Sequence, residues 1–238
     1  MSNPDARRDE ILQNLADVRH RIELAAVAAN RPVTELTLVA ITKFFPATDA
    51  VILAEAGIGE LGESRDQEAS AKVVEFAGLT DAVVRWHFVG RLQTNKARSV
   101  ARYADLVHSV DRPELADALA TGAGHAEGVL PVLVQLSLDA DPERGGSAGD
   151  ALLRLADRVA ARPELRLDGV MAIAPLDADP DPAFDKLAGI AERLRAEHPA
   201  ATIVSAGMSG DLEAAVRHGA THLRIGTALL GRRATNFG

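Results

Sequence analysis

The apolar run LVAITKFFP, residues 38–46, carries a single ammonium, that of Lys43. A lysine at a strand end ordinarily lays its stem along apolar surface and leaves its charge in water. Here Phe44, Phe45 and Pro46 follow directly, and apolar cover of this kind favours the neutral amine. Such an amine attacks aldehydes to form a Schiff base.

A second chemistry lies near the other end of the chain. In SAGMSGDLEAAVRHG, residues 205–219, Ser209 or Gly210 can cap a helix that ends near Gly219. Ser205 and Met208 belong to the same loop. RIGTALLG, residues 224–231, repeats the arrangement with Gly226 and Thr227. Helix starts expose N–H groups that bind phosphate, although a merely well-capped helix with Asp211 in its first turn would read the same way. Between the two loops, alternation in HLRIG puts Leu223 and Ile225 on one face and His222 and Arg224 on the other. With the apolar pair against outer helices, Arg224 points inward and needs an acceptor. That acceptor is either a structural carboxylate or a ligand atom such as a pyridine nitrogen, which a permanent cation would keep unprotonated.

These residues need a scaffold that brings both ends of the chain together. Apolar positions Ile11, Leu12, Leu15, Val18, Ile22, Ala25 and Ala26 recur at helical steps over 5–30, and Pro32 closes that leading helix. Eight strands are expected at 36–43, 58–62, 84–88, 106–110, 132–137, 167–173, 202–205 and 223–225. Helices are expected between them at 47–56, 67–76, 94–101, 113–121, 151–161, 182–197 and 211–218. Alternation of this kind builds parallel βαβ units. The fold class is therefore α/β, a single-domain TIM-type (β/α)8 barrel over 36–231 with an extra N-terminal helix within 1–35. A doubly wound open sheet is the main alternative, but no GxGxxG turn follows the first strand. The Gly- and Asp-rich stretch 139–149 reads as a mobile loop over one end of the barrel.

Barrels do their chemistry at the C-terminal ends of their strands. Lys43 ends the first strand, Ser64 follows the second, His87 lies near the end of the third, and the two small-residue loops follow the seventh and eighth. An aldehyde-seeking lysine opposite a phosphate cradle describes one ligand, pyridoxal 5'-phosphate. His87, with no ligand-spaced neighbour, reads as a hydrogen-bonded strand histidine, and no metal is expected.

Composition narrows the partners. Among 238 residues the formal net charge is -8 and aromatic residues make up 3%, which argues against a binder of the nucleic-acid backbone and leaves no base-stacking platform. With no cysteine disulfides are excluded, and no run approaches the roughly 20 apolar residues of a membrane span. A soluble cytoplasmic protein is expected.

The blocks AITKFFP, GESRDQE (62–68), WHFVGRLQTNK, GVMAIAP, SAGMSGDLEAA and RIGTALLG together resemble the pyridoxal phosphate homeostasis protein family. The resemblance implies a barrel like the N-terminal domain of bacterial alanine racemase, with pyridoxal phosphate on Lys43. It implies phosphate contacts from Ser205, Ser209, Gly226 and Thr227, with Arg224 at the ring nitrogen and Ser64 and Met208 nearby. It also implies a carrier or regulator of vitamin B6 and amino-acid balance, with apo-enzymes that use the cofactor as candidate partners and a monomer as the expected state. Three positions depart from the family pattern: Ser64 stands for an asparagine, Ala206 for a methionine, and Glu143-Arg144-Gly145-Gly146 for an E-x-x-K-x-G-like loop. The alternative is an amino-acid racemase. That chemistry resembles alanine racemase, whose tyrosine base comes from a second β domain; here Tyr103 is the only tyrosine, no such domain is expected after the eighth strand, and only His87 offers itself as a second base.

Overall fold

The computed structural model describes residues 4–126, 128–139, 145–175 and 178–232. Eight strands, β1 (Thr37–Ile41), β2 (Glu60–Glu63), β3 (Arg85–Phe88), β4 (Leu106–Val110), β5 (Leu130–Leu136), β6 (Leu165–Ala172), β7 (Ile203–Ser205) and β8 (His222–Ile225), form a closed parallel barrel in chain order. Closure is explicit in the pairing of β1 with β8, Val39 opposite Arg224, which removes the open-sheet alternative.

Helices α1 (Pro4–Ala28), α2 (Ala47–Glu55), α3 (Asp66–Leu79), α4 (Ala97–Val100), α5 (Pro113–Gly124), α6 (Asp150–Ala160), α7 (Pro180–Glu197), α8 (Leu212–Arg217) and α9 (Thr227–Leu230) surround it. The leading helix stops at Ala28, two residues before the expected end. Asn30 adopts a left-handed φ of 52° and the Arg31 N–H returns to the Ala26 carbonyl at 2.9 Å, a turn that ends the helix before Pro32 is reached. α1 joins the outer ring between α2 and the α8–α9 pair. Its polar side chains clasp backbone carbonyls there: Asn14 donates to Leu229 at 2.9 Å and Arg21 to Ser209 at 3.1 Å. None of the described helices is long and apolar enough to cross a membrane.

The core has two layers. Alternate strand residues such as Ala40, Leu61, Val107, Val204, Leu223 and Ile225 pack outward against the helices. A small inner cluster of Leu106, Leu133 and Met171, flanked by Ile173 and Ile203, fills part of the barrel interior. The remaining interior is polar, with His87, His108, Ser205 and Arg224 all buried.

Of the loop expected to be mobile, residues 140–144, including Glu143 and Arg144, lie outside the described residues. Its second half is tied to the end of β5. The Ser147 N–H donates to the Gln135 carbonyl at 2.8 Å, and the Ser147 hydroxyl donates to the Asp111 carbonyl at 2.7 Å.

Candidate functional site

A pocket of about 470 Å³ opens at the C-terminal mouth of the barrel. Lys43, Ser64, Met208, Ser209, Arg224, Gly226 and Thr227 all line it, so both ends of the chain meet there. Ser205 does not. It is fully buried within the barrel, where its hydroxyl accepts from Arg224 at 2.7 Å and meets His108 Nδ1 at 2.9 Å. β7 alternates, and Ser205 shares the inward face with Ile203, whereas the other loop residues expected to hold phosphate line the pocket. Ile41, Val89, Gly90, Arg91 and Ile173 also line the pocket, and sequence reasoning missed them; Gly210, read as a possible cap, lines it too. Gly90 carried the one readable signal, a glycine two residues after a strand. A Cβ built on it would lie 2.1 Å from the Ser64 carbonyl oxygen, so the pocket wall at this point admits only glycine.

Lys43 sits in a turn just past β1, half-buried, not within the strand as expected. Phe44 takes a left-handed φ of 70°, an uncommon and strained conformation for an aromatic residue. Two residues of α3 hold this turn. Glu68 accepts the Phe44 N–H, and the Lys72 ammonium donates to the Thr42 carbonyl at 2.7 Å and to Glu63 at 2.5 Å. Burial raises the pKa of Glu63, and Lys72 works against that rise. The apolar cover expected from Phe44 and Phe45 is divided: Phe45 packs on the core, while Phe44 is 38% exposed. The Phe44 ring lies 5.7 Å from the Lys43 ammonium and 4.8 Å from the Arg65 guanidinium.

Opposite Lys43, Arg224 points inward as the alternation in β8 predicts. It is 5% exposed and donates to two neutral oxygens, Ser205 Oγ and the Ala172 carbonyl at 2.9 Å. Among the described residues no carboxylate lies within ion-pair distance of it. Burial pulls its pKa down to about 10, with Asp211 opposing. A guanidinium has five N–H donors, and two bonds leave donor capacity facing the pocket.

The phosphate loops differ from expectation in their caps. α8 begins only at Leu212, with Asp211 before it accepting from the Met208 N–H at 2.6 Å. Ser209 does not cap that helix; its hydroxyl accepts from the Ala228 N–H of α9 at 3.1 Å, joining the two loops. Among the described residues the N–H groups of Ser209, Gly210 and Thr227 find no acceptor. Three unfilled donors and a buried cation fit an anion with a hydrogen-bond acceptor beyond it.

His87 and Tyr103 lie elsewhere. His87 is buried between Glu60 and His108 and does not line the pocket. Tyr103 is held beside Asp66 and Glu63, where burial and those carboxylates raise its pKa. A larger cleft of about 860 Å³ adjoins the pocket and shares Ser64 and Arg91 with it, lined also by Gln93 and Lys96, but it does not reach Lys43. Among the described residues one carboxylate–histidine group could hold a metal, Asp157, Glu197 and His198 on the surface, remote from the pocket.

Comparison with known proteins agrees with this geometry. The profile of the alanine racemase N-terminal domain matches residues 13–234. The pyridoxal phosphate homeostasis protein of Mycobacterium tuberculosis is 49% identical over 246 aligned positions, covering 97% of this chain and 95% of the relative. The protein of the same name from Escherichia coli K12 is 36% identical, covering 94% and 97%. Among solved structures, PipY of Synechococcus elongatus with pyridoxal phosphate bound superposes with a TM-score of 0.80 at 32% identity, covering 93% of this chain and all of that one. Alanine racemase of Clostridium difficile shares the fold at a TM-score of 0.72 and 12% identity, over 57% of its length.

Proposed function

The chain belongs to the pyridoxal phosphate homeostasis protein family, and from that premise we propose that it holds pyridoxal 5'-phosphate as a Schiff base on Lys43 and serves vitamin B6 and amino-acid balance without turning over a substrate. The observation that carries this reading is Arg224, a buried cation without a carboxylate partner, lining one pocket with Lys43 and three unfilled N–H donors. In this reading Ser209, Gly210 and Thr227 bind the phosphate through backbone N–H groups, and Arg224 donates to the ring nitrogen. The cofactor supplies an aldehyde for the lysine and a ring that can withdraw electrons. A donor that keeps the ring nitrogen unprotonated weakens that withdrawal.

The absence of turnover rests on the proton-transfer groups. Racemisation in both directions needs a base on each side of the reacting carbon. The titratable groups that line the pocket are Lys43, Arg91 and Arg224, and arginine is a poor base. Residence in the cytoplasm, action as a monomer and delivery to apo-enzymes belong to the same proposal.

Incubating the cofactor-loaded protein with L- and D-amino acids while following chirality tests it. No racemisation above a protein-free control is expected. Turnover at enzyme-like rates would replace the carrier with the racemase.

A further inference from the structure

The interior of the barrel holds one continuous line of polar side chains. Glu60, the first residue of β2, accepts from His87 Nε2; His87 Nδ1 meets His108 Nε2 at 2.8 Å; His108 Nδ1 meets Ser205 Oγ at 2.9 Å; and Ser205 Oγ accepts from Arg224 Nη1 at 2.7 Å. The line begins at the N-terminal end of the barrel, where Glu60 borders a surface cleft of about 500 Å³ beside Arg19 and Glu23 of α1. It ends in the pocket at the opposite mouth.

Donor accounting gives the line a direction. Arg224 can only donate, so Ser205 Oγ accepts and keeps its own hydrogen for His108 Nδ1. Glu60 stays ionised: burial alone would raise its pKa, but the hydrogen bond from His87 and the charge of Arg85 hold it below the usual carboxylate value. Its carboxylate therefore accepts the Nε2 proton of His87, which leaves His87 Nδ1 to accept the Nε2 proton of His108. Both rings carry hydrogen on Nε2 and every group is used. Burial, then His87 and Arg224, keep His108 neutral, well below its ordinary pKa. A cation at one end and an anion at the other fix the polarity.

We propose that Glu60, His87, His108 and Ser205 are positioning residues for Arg224, forming a polarised hydrogen-bond chain that couples the ring-nitrogen contact of the bound cofactor to a carboxylate on the opposite face of the barrel. The inference rests on the reading of the pocket as a pyridoxal phosphate site. Other charged or titratable groups face the chain: Arg85 on β3, Asp168 on β6, His222 on β8, and Asp211 beyond β7. None of them links Glu60 to Arg224 through hydrogen bonds. The energetic logic is cooperative polarisation in a low-dielectric interior, where the far carboxylate is felt through the chain as well as through space.

A double-mutant cycle tests this, read from the pH profile of the Lys43 imine absorption after loading with pyridoxal phosphate. Glu60→Gln keeps an acceptor for His87 but removes the charge. Losing a negative charge disfavours the protonated imine, so its midpoint should fall by about half a pH unit or more. In the Ser205→Ala background the chain is cut, and adding Glu60→Gln should shift the midpoint little. Ser205→Thr, which keeps the hydroxyl, should restore the full shift. Circular dichroism and melting confirm that each variant is folded. An undiminished Glu60→Gln shift in the Ser205→Ala background would overturn the proposal, because the effect would then travel through space alone. No shift in either background would overturn it equally. A wild-type protein that shows no imine band and takes up no cofactor is a different result: it removes the reading of the pocket, and the chain's proposed role with it.

Discussion

Lys43 taken alone would be an ordinary snorkelling lysine, and what distinguishes it is the company it keeps. Arg224 is the residue that decides, because among the described residues its buried guanidinium bonds a serine and a carbonyl and no carboxylate, which leaves unused donors. Arg224→Gln should weaken pyridoxal phosphate binding by about tenfold or more, the loss expected for one charge-assisted hydrogen bond, as read from an absorbance titration; unchanged affinity would remove Arg224 from the site. At this scale the sequence was informative where chemistry is local. Lys43 stood out by type and Arg224 by alternation. Ser205, expected from the resemblance to meet phosphate, follows the two-residue period of β7, in which Val204 faces the helices and Ser205 the interior. The partners of His87 were beyond reach, since His108 and Ser205 come beside it only through barrel closure.

The eight strands and their helices were legible because short apolar runs alternate with helical periods, and chain order then leaves few ways to close a sheet. What the pattern could not convey is how an element ends. The Lys43 turn lies beyond β1, not inside it, and is held by Glu68 and Lys72 of α3, a helix whose amphipathic stripe says nothing of that duty. Gly90 makes a comparable point for the loop after β3, where two backbones approach too closely for a side chain. Gly90→Ala should force those backbones apart at a cost of about 1–3 kcal/mol, measured by urea unfolding, and should widen the pocket enough to weaken cofactor binding as well. Stability within about 0.5 kcal/mol of wild type would show that the Ser64 loop yields freely.

Across the whole molecule, the polar barrel interior makes stability depend on pH. Burial, with His87 adding to it, lowers the pKa of His222 from 6.5 to about 4. Between those values the unfolded chain binds the proton and the folded chain does not, so stability rises with pH across the window. The contribution is complete above about pH 6.5 and is lost progressively as pH falls towards 4. Between pH 7 and pH 5 the loss from His222 alone is about 2 kcal/mol, and His108 adds to it in the same direction. Urea midpoints at the two pH values give the measurement, and His222→Gln should flatten the difference; a protein equally stable at both would contradict a neutral, half-buried His222.

The roles assigned to Lys43 and Arg224 depend on where the cofactor attaches. Borohydride reduction of the pyridoxal phosphate-loaded protein, followed by peptide mass spectrometry, reads cofactor and lysine together. The account predicts one reduced phosphopyridoxyl adduct, carried by Lys43 and absent from Lys43→Ala. An adduct on another lysine, or no adduct with excess pyridoxal phosphate present, would contradict it.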